Sequence, residues 1–392
     1  MQNKEVRIYA TADGHGGCNL WGKSDPLTGR SMMVDNFASR IEETVCDILT
    51  VNPDVWIFAG DIYHSPSPSN YLREIIGNAV RRVRAAGINV VFIPGNHDGT
   101  SSHGTRHALA DLTPLQDMRF YVVDKPQMVS NISKSGVQYQ IACVPWMKNP
   151  EDMRNALKSL ARKVDPTGVV PTYMTGHFTV NGSVSGSEKL FSLSSPNGIE
   201  RELLKPFRFC FLGDIHKPQM IGDNAMYIGS LDRVDFSERD DEKGSILFVD
   251  TNPENSALEY TAERRASNAQ KFVQIDVDLI KSKSAKTSLD KIEKEEVQGS
   301  VVKVVIRCMA DQRRMIVADG IQSALYKAGA LFVMPLKLDV VKNEEERKES
   351  RVVKETSVLD ALKVWLESRE LTPEIKQAVL VEGEKMLLEA KS

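Results

Sequence analysis

The sequence predicts an α/β fold, and three observations carry that prediction. Short, wholly apolar runs such as Val55-Trp56-Ile57-Phe58-Ala59 and Val90-Val91-Phe92-Ile93 have the character of strands buried on both faces. Between them lie segments with apolar residues at helical spacing, which gives the strand, helix, strand order of right-handed βαβ units. Each run also stops abruptly at glycine and a polar cluster. In open α/β sheets, functional groups sit beyond the carboxyl ends of the strands.

Residues 6–12 form the first strand and deliver Thr11-Ala12-Asp13-Gly14-His15-Gly16-Gly17. Alternate residues of an extended segment point the same way, so Asp13 and His15 can reach one cation from a single strand end. Helical spacing over 41–51 leads to the second strand, 55–59, which ends at Gly60-Asp61-Ile62-Tyr63-His64. A helix over 72–86 follows, and its Arg81-Arg82-x-Arg84 run reads as a solvated face. The third strand, 88–93, is stopped by Pro94-Gly95 and runs into Asn96-His97-Asp98, an amide, an imidazole and a carboxylate in succession. His103 and His107, in the loop beyond, read as surface or helix-start residues.

A strand over 139–144, a helix over 150–163 and a strand over 169–174 lead to Thr175-Gly176-His177. Residues 208–212 form a strand ending at Gly213-Asp214-Ile215-His216-Lys217-Pro218, with closing strands at 226–230 and 245–249. The Ser/Gly-rich stretch 181–196 reads as a loop over the site. Past about residue 265 the alternating stretches 272–277 and 302–307, each followed by helical spacing, predict a small α+β domain. A charged linker, 342–349, then leads to two amphipathic helices, one opening on Ser357-x-x-Asp360 and one on Thr372-Pro373-Glu374. So short a tail cannot bury its own apolar surface, which calls for the body of the protein or a partner.

Composition narrows the class. A hydrophobic share of 41% and a charged share of 26% are ordinary for a globular protein, with no apolar run long enough to cross a bilayer and no signal-peptide pattern, so a cytoplasmic location is expected. Five scattered cysteines without a CxxC pair argue against a disulfide framework and against a thiolate zinc site. A net charge of −3 lacks the basic excess that would by itself announce nucleic acid.

The chemistry lies in five strand-end clusters: Asp13 with His15, Asp61 with His64, Asn96 to Asp98, His177, and Asp214 with His216. Carboxylate, amide and imidazole without thiolate suit Mn²⁺, Mg²⁺ or Fe²⁺, with Zn²⁺ also admitted. Seven ligands are too many for one ion and suit two ions sharing a carboxylate.

The series Asp13-x-His15, Gly60-Asp61, Gly95-Asn96-His97-Asp98, Gly176-His177 and Gly213-x-x-His216 resembles the calcineurin-like metallophosphoesterases over roughly residues 5–250. Within that family the chain is most similar to the Mre11/SbcD nucleases, through His64, the Asp214-Ile215-His216-Lys217-Pro218-Gln219 segment and Tyr227-Ile228-Gly229-Ser230. The resemblance implies a two-sheet sandwich flanked by helices over 1–264, a small α+β capping domain over 265–342, and over 343–392 a linker and C-terminal helices that bind a Rad50/SbcC-type ABC ATPase. It implies a homodimer acting on DNA as 3′–5′ exonuclease and single-strand endonuclease with two divalent ions, Mn²⁺ foremost. Asp13, His15 and His216 would hold the first ion, Asp61 would bridge, and Asn96, His177 and Asp214 would hold the second. His97 would protonate the leaving oxygen with Asp98 orienting its ring from behind, while His64 would stabilise the transferring phosphoryl group. Asp214 departs from the family's usual histidine, which leaves open a weaker second site. A phosphatase or cyclic-nucleotide phosphodiesterase, and a scaffold with a decayed site, are the competing readings.

Overall fold

A computed structural model describes residues 4–99, 107–117, 119–184, 197–282, 296–316, 318–341, 358–367 and 371–389. His103, the charged linker, Ser357 and most of the 181–196 loop lie outside the described residues. The chain divides into two compact units, Met1–Phe272 and Val273–Ser392.

The first unit is built on two six-stranded sheets. One carries β1 (Val6–Thr11), β2 (Val55–Ala59), β3 (Asn89–Ile93) and β4 (Phe120–Val122) in parallel, extended beyond β1 by antiparallel β11 (Gly244–Asp250) and β12 (Tyr260–Ala266). The other runs in the order β5 (Gln127–Ile132), β6 (Gln138–Val144), β7 (Thr172–His177), β8 (Cys210–Gly213), β10 (Ala225–Tyr227), β9 (Gln219–Met220). Their facing sides share one core, in which Ile57, Ala59 and Val91 of the first sheet meet Tyr139, Tyr173 and Phe211 of the second.

Helices cover the outer faces. On the first sheet, α1 (Met32–Val51) and α2 (Asn70–Ala85) bury Phe37, Ile41, Ile48, Ile76 and Val80 against Trp56, Phe58 and Phe92. On the second, α3 (Pro150–Ala161) buries Met153, Leu157 and Leu160 against Ala142, Met174 and Leu212. This explains the apolar runs: β2 is covered on both faces and every one of its residues is buried. Ser69 caps α2 by accepting from the Leu72 amide, and Asn149 with Pro150 starts α3.

Three differences from the sequence reading have local causes. Helix α1 begins at Met32 rather than at 41, because Val34 and Phe37 extend the apolar stripe back across Asp35 and Asn36. Strand β7 begins at Thr172, not at 169. Asp165 accepts from Thr167 and Val170 in a turn through Gly168, at φ 71°, and Val169 is left 60% exposed. A domain boundary at 264/265 would cut β12, whose Arg265 and Ala266 pair with Ser245 and Gly244; the compact unit runs on to Phe272.

The second unit has a four-stranded sheet of β13 (Phe272–Asp278), β14 (Val301–Met309), β15 (Phe332–Val333) and β16 (Lys337–Val341), with a short α4 (Leu279–Ser282) and α5 (Ala318–Lys327). Ile275, Val304, Ile306, Ile321 and Leu325 form its core. It also contains α6 (Val358–Glu367) and α7 (Pro373–Glu389). Among the described residues no helix is long and apolar enough to cross a membrane. The five cysteines are free, and all but Cys46 are buried.

Candidate metal centre

Asp13 and His15 follow β1, Asp61 and His64 follow β2, Asn96 to Asp98 follow β3, His177 ends β7, and Asp214 and His216 follow β8. Parallel pairing of β1 with β2, β2 with β3 and β7 with β8 puts these carboxyl ends side by side. The chain turns sharply there. Asp13, His15, Asp61 and Asp214 adopt φ of 49°, 45°, 53° and 91°, a left-handed region that costs a non-glycine residue of order 1 kcal/mol or more. The only other non-glycine residue of that kind among those described is Asn52, which caps α1.

Three trios of possible ligands result: Asp13 with His15 and His216, Asp13 with Asp61 and His177, and His15 with His64 and His97; the first two, which share the carboxylate of Asp13, carry the charge a cation needs. Asp61 Oδ2 lies 3.7 Å from His15 Nε2 and 3.5 Å from His177 Nε2, between one imidazole of each of these two. His15 Nε2 and His216 Nε2 are 2.9 Å apart, and His177 Nε2 is 2.9 Å from Asn96 Oδ1. Outward-facing nitrogens are tied: His177 Nδ1 donates to the Ala59 carbonyl at 2.8 Å, and His216 Nδ1 to Glu238 at 2.8 Å. Each tie leaves Nε2 as the ligating atom. Gly60 has to be glycine here, since at φ 88° any Cβ would run into the His177 ring.

The donor set fits cations. Asp13 Oδ2 is buried without a hydrogen-bond partner, an expensive state for a carboxylate unless a positive charge faces it. Burial pushes the Asp13 carboxyl up to about 6 against the pull of His216 and His177. Burial opposes the charged form of His177, yet Asp61 and Asp13 hold its pKa well above the usual histidine range; a divalent ion would take the place of that proton. Burial, reinforced by His216, keeps His15 well below its ordinary value.

The expected catalytic residues stand beside the first two trios. His97 stacks on His64, ring centroids 4.7 Å apart, and His97 Nδ1 donates to the His64 carbonyl at 3.1 Å. His64 Nδ1 faces His15 Nδ1 at 3.2 Å. Asp98 differs from expectation: it does not back the His97 imidazole. Its two oxygens accept from the main-chain amides of Ile62, Tyr63 and Gly95, so it clamps the loop after β2 to the loop after β3. Burial, with Asp61 nearby, raises that carboxyl to about 7. Asp214 stands apart from all three trios, because its Oδ2 accepts from Thr179 at 2.5 Å while its amide donates to Asp13 at 3.1 Å.

Sequence reasoning missed Glu238 and Lys243. They sit in Ser237-Glu238-Arg239-Asp240-Asp241-Glu242-Lys243, which reads as a solvated charge run, yet both are buried.

A family model described as calcineurin-like phosphoesterase matches residues 6–206. The chain belongs to that family. Family and Asp/His cluster together point to two divalent metal ions in this phosphoesterase and to metal-dependent hydrolysis. Similar solved structures include TT1561 of Thermus thermophilus, 15% identical over 66% of this chain and 99% of that one with a TM-score of 0.39. A dimetal phosphatase from Danio rerio is 10% identical over 66% of this chain and 98% of that one, TM-score 0.38.

Proposed function

We propose that this phosphoesterase is a DNA nuclease, cutting phosphodiester bonds as a 3′–5′ exonuclease and single-strand endonuclease. The observation that carries the reading is the pair of ligand trios that share Asp13, with Asp61 Oδ2 between an imidazole of each and the stacked His64 and His97 at their side. Asp13, His15 and His216 would hold a first ion, Asn96 and His177 a second, and Asp61 would serve both. In this reading Asp214 steadies the loop through Thr179 and is not counted as a ligand. When bound, the two ions, Mn²⁺ or Mg²⁺ by the hardness of the donors, polarise the phosphoryl oxygens and lower the pKa of the attacking water.

The protein's own groups do the rest. His97, its Nδ1 proton directed at the His64 carbonyl, presents Nε2 to the leaving oxygen, and as the imidazolium it gives up the Nε2 proton there and returns to the neutral ring with Nδ1 still protonated. His64 turns its remaining nitrogen to the phosphoryl group, where a hydrogen bond strengthens as charge develops. Asp98 keeps these loops in register through the amides it binds.

DNA, rather than a small ester, is supported by the resemblance of Asp61-x-x-His64, Asp214 to Gln219 and Tyr227 to Ser230 to Mre11/SbcD nucleases. So is a Rad50/SbcC-type ATPase partner for the C-terminal helices, where Trp365, Ile375, Val381 and Met386 are exposed. A chain of net charge −3 would share DNA binding with that ATPase and with a second copy of itself. The test uses the full chain with Mn²⁺, end-labelled duplex, a single-stranded circle, and a phosphate monoester. Cleavage of both DNAs, abolished by a chelator, is expected. Rapid monoester hydrolysis with both DNAs intact would overturn the nuclease reading in favour of a phosphatase.

A further inference from the structure

We propose that Glu238 and Lys243 are positioning residues that hold His216 for the first ion and make that site the tighter of the two; the inference rests on reading His216 as a ligand. Glu238 Oε1 lies 2.8 Å from His216 Nδ1, and a buried carboxylate in this setting accepts, so the proton resides on Nδ1 and Nε2 turns its lone pair toward His15. Glu238 Oε2 is held by Lys243 Nζ at 2.7 Å and by the Val234 amide at 3.3 Å. Lys243 Nζ also donates to the main-chain carbonyl of His216 at 3.2 Å and to Ser230 Oγ at 2.8 Å. One lysine therefore grips His216 twice, at its backbone directly and at its ring through Glu238.

Stability does not account for this pair. Glu238 and Lys243 are 4% and 3% exposed. Taking two charges out of water costs several kcal/mol for each, and apolar residues of like volume commonly serve a core as well or better. The neighbouring imidazoles manage with neutral acceptors, His177 with the Ala59 carbonyl and His97 with the His64 carbonyl. Of these three, His216 alone has a carboxylate within hydrogen-bond distance of its Nδ1. A carboxylate makes the imidazole a stronger donor to a cation than a carbonyl does. Lys243 cancels its charge, so the gain comes without adding net negative charge beside an anionic substrate. The short turn Phe236–Glu238 that carries the carboxylate is itself pinned by Phe236 stacking on Phe272, centroids 5.0 Å apart.

The experiment is calorimetric titration of the full chain with Mn²⁺ alone, compared with Glu238→Gln and with the double variant Glu238→Gln/Lys243→Met, which removes both charges of the pair together. Two unequal sites are expected in the wild type. Each folded variant should lose about 10- to 100-fold in affinity at the tighter site and nothing at the other. Wild-type affinities at both sites in either folded variant would overturn the proposal. So would a wild-type His216 whose proton, read by nitrogen-15 resonance, sits on Nε2 alone, whatever the variants do. A wild type that binds no Mn²⁺ would instead remove the metal-centre reading itself.

Discussion

His97 and Asp98 are adjacent in sequence and work in different directions. Removing the imidazole takes away a proton donor but no ligand, so His97→Gln is expected to cut turnover by about 10²- to 10⁴-fold while Mn²⁺ titration still counts two ions. Asp214→Asn tests the opposite kind of residue. With Thr179 and Asp13 as its partners, it should keep two-ion binding; loss of one ion would restore it as a ligand. The identities of the clustering residues were legible because chemistry-bearing types recur at strand ends, and the structure gathers Asp13, His15, Asp61, Asn96, His177 and His216. What Asp98 touches was not legible. Two of its three partners are main-chain amides from a loop some 35 residues earlier, and backbone donors leave no mark in side-chain pattern. Glu238 and Lys243 escaped for a related reason, since a buried ion pair and a solvated charge run are written in the same letters.

At the scale of elements, Asp47 of α1 ties two strands of the first sheet: it accepts from Tyr9 of β1 at 2.8 Å and from both ends of the Arg265 guanidinium of β12. Burial works against the Asp47 charge, but Arg265 and Tyr9 prevail and hold its pKa below the usual value. A carboxylate depressed in the folded state contributes stability that is present above its unfolded pKa near 3.9 and is lost as pH falls below it. Asp47→Asn should therefore lower the melting temperature at pH 7 and flatten its decline below pH 4; melts that parallel the wild type across that range would exclude the role. Strand β12 itself was invisible in sequence. Its Glu263-Arg264-Arg265 core has no apolar alternation, and its place at the sheet edge asks for none. Strands covered on both faces, such as β2 and β3, were readable because burial on both sides leaves an unbroken apolar run.

For the whole molecule, the sequence separates a metal-bearing part from a metal-free one, and the compact units divide near the same place, at Phe272. Deleting residues 352–392 is expected to abolish capture of the ATPase subunit in a pull-down while leaving basal cleavage of DNA with Mn²⁺; a truncated chain that still co-purifies with the ATPase would refute the assignment. A division past the metal-bearing part was legible from the change in composition and periodicity, though the sequence reading drew three parts, 1–264, 265–342 and 343–392, where the compact units are two. Its boundary was not, because Gly244–Asp250 recruits Tyr260–Ala266 into the first sheet through pairings that no local signal announces.

The four left-handed residues at the strand ends, Asp13, His15, Asp61 and Asp214, carry a consequence for dynamics. Carboxylates and unfavourable backbone angles are concentrated in one buried spot, so this end of the sheets resists opening less without ions than with them. Ions that bind the closed form alone deepen it by mass action, about 2.7 kcal/mol at a hundredfold excess over the dissociation constant. Amide exchange at His15, Ile62, Tyr63 and His97 should then slow about a hundredfold on adding Mn²⁺, while exchange in the middle of β2 and β6 stays as it was. Metal supply would set not only how fast this enzyme turns over but how often its active end comes apart.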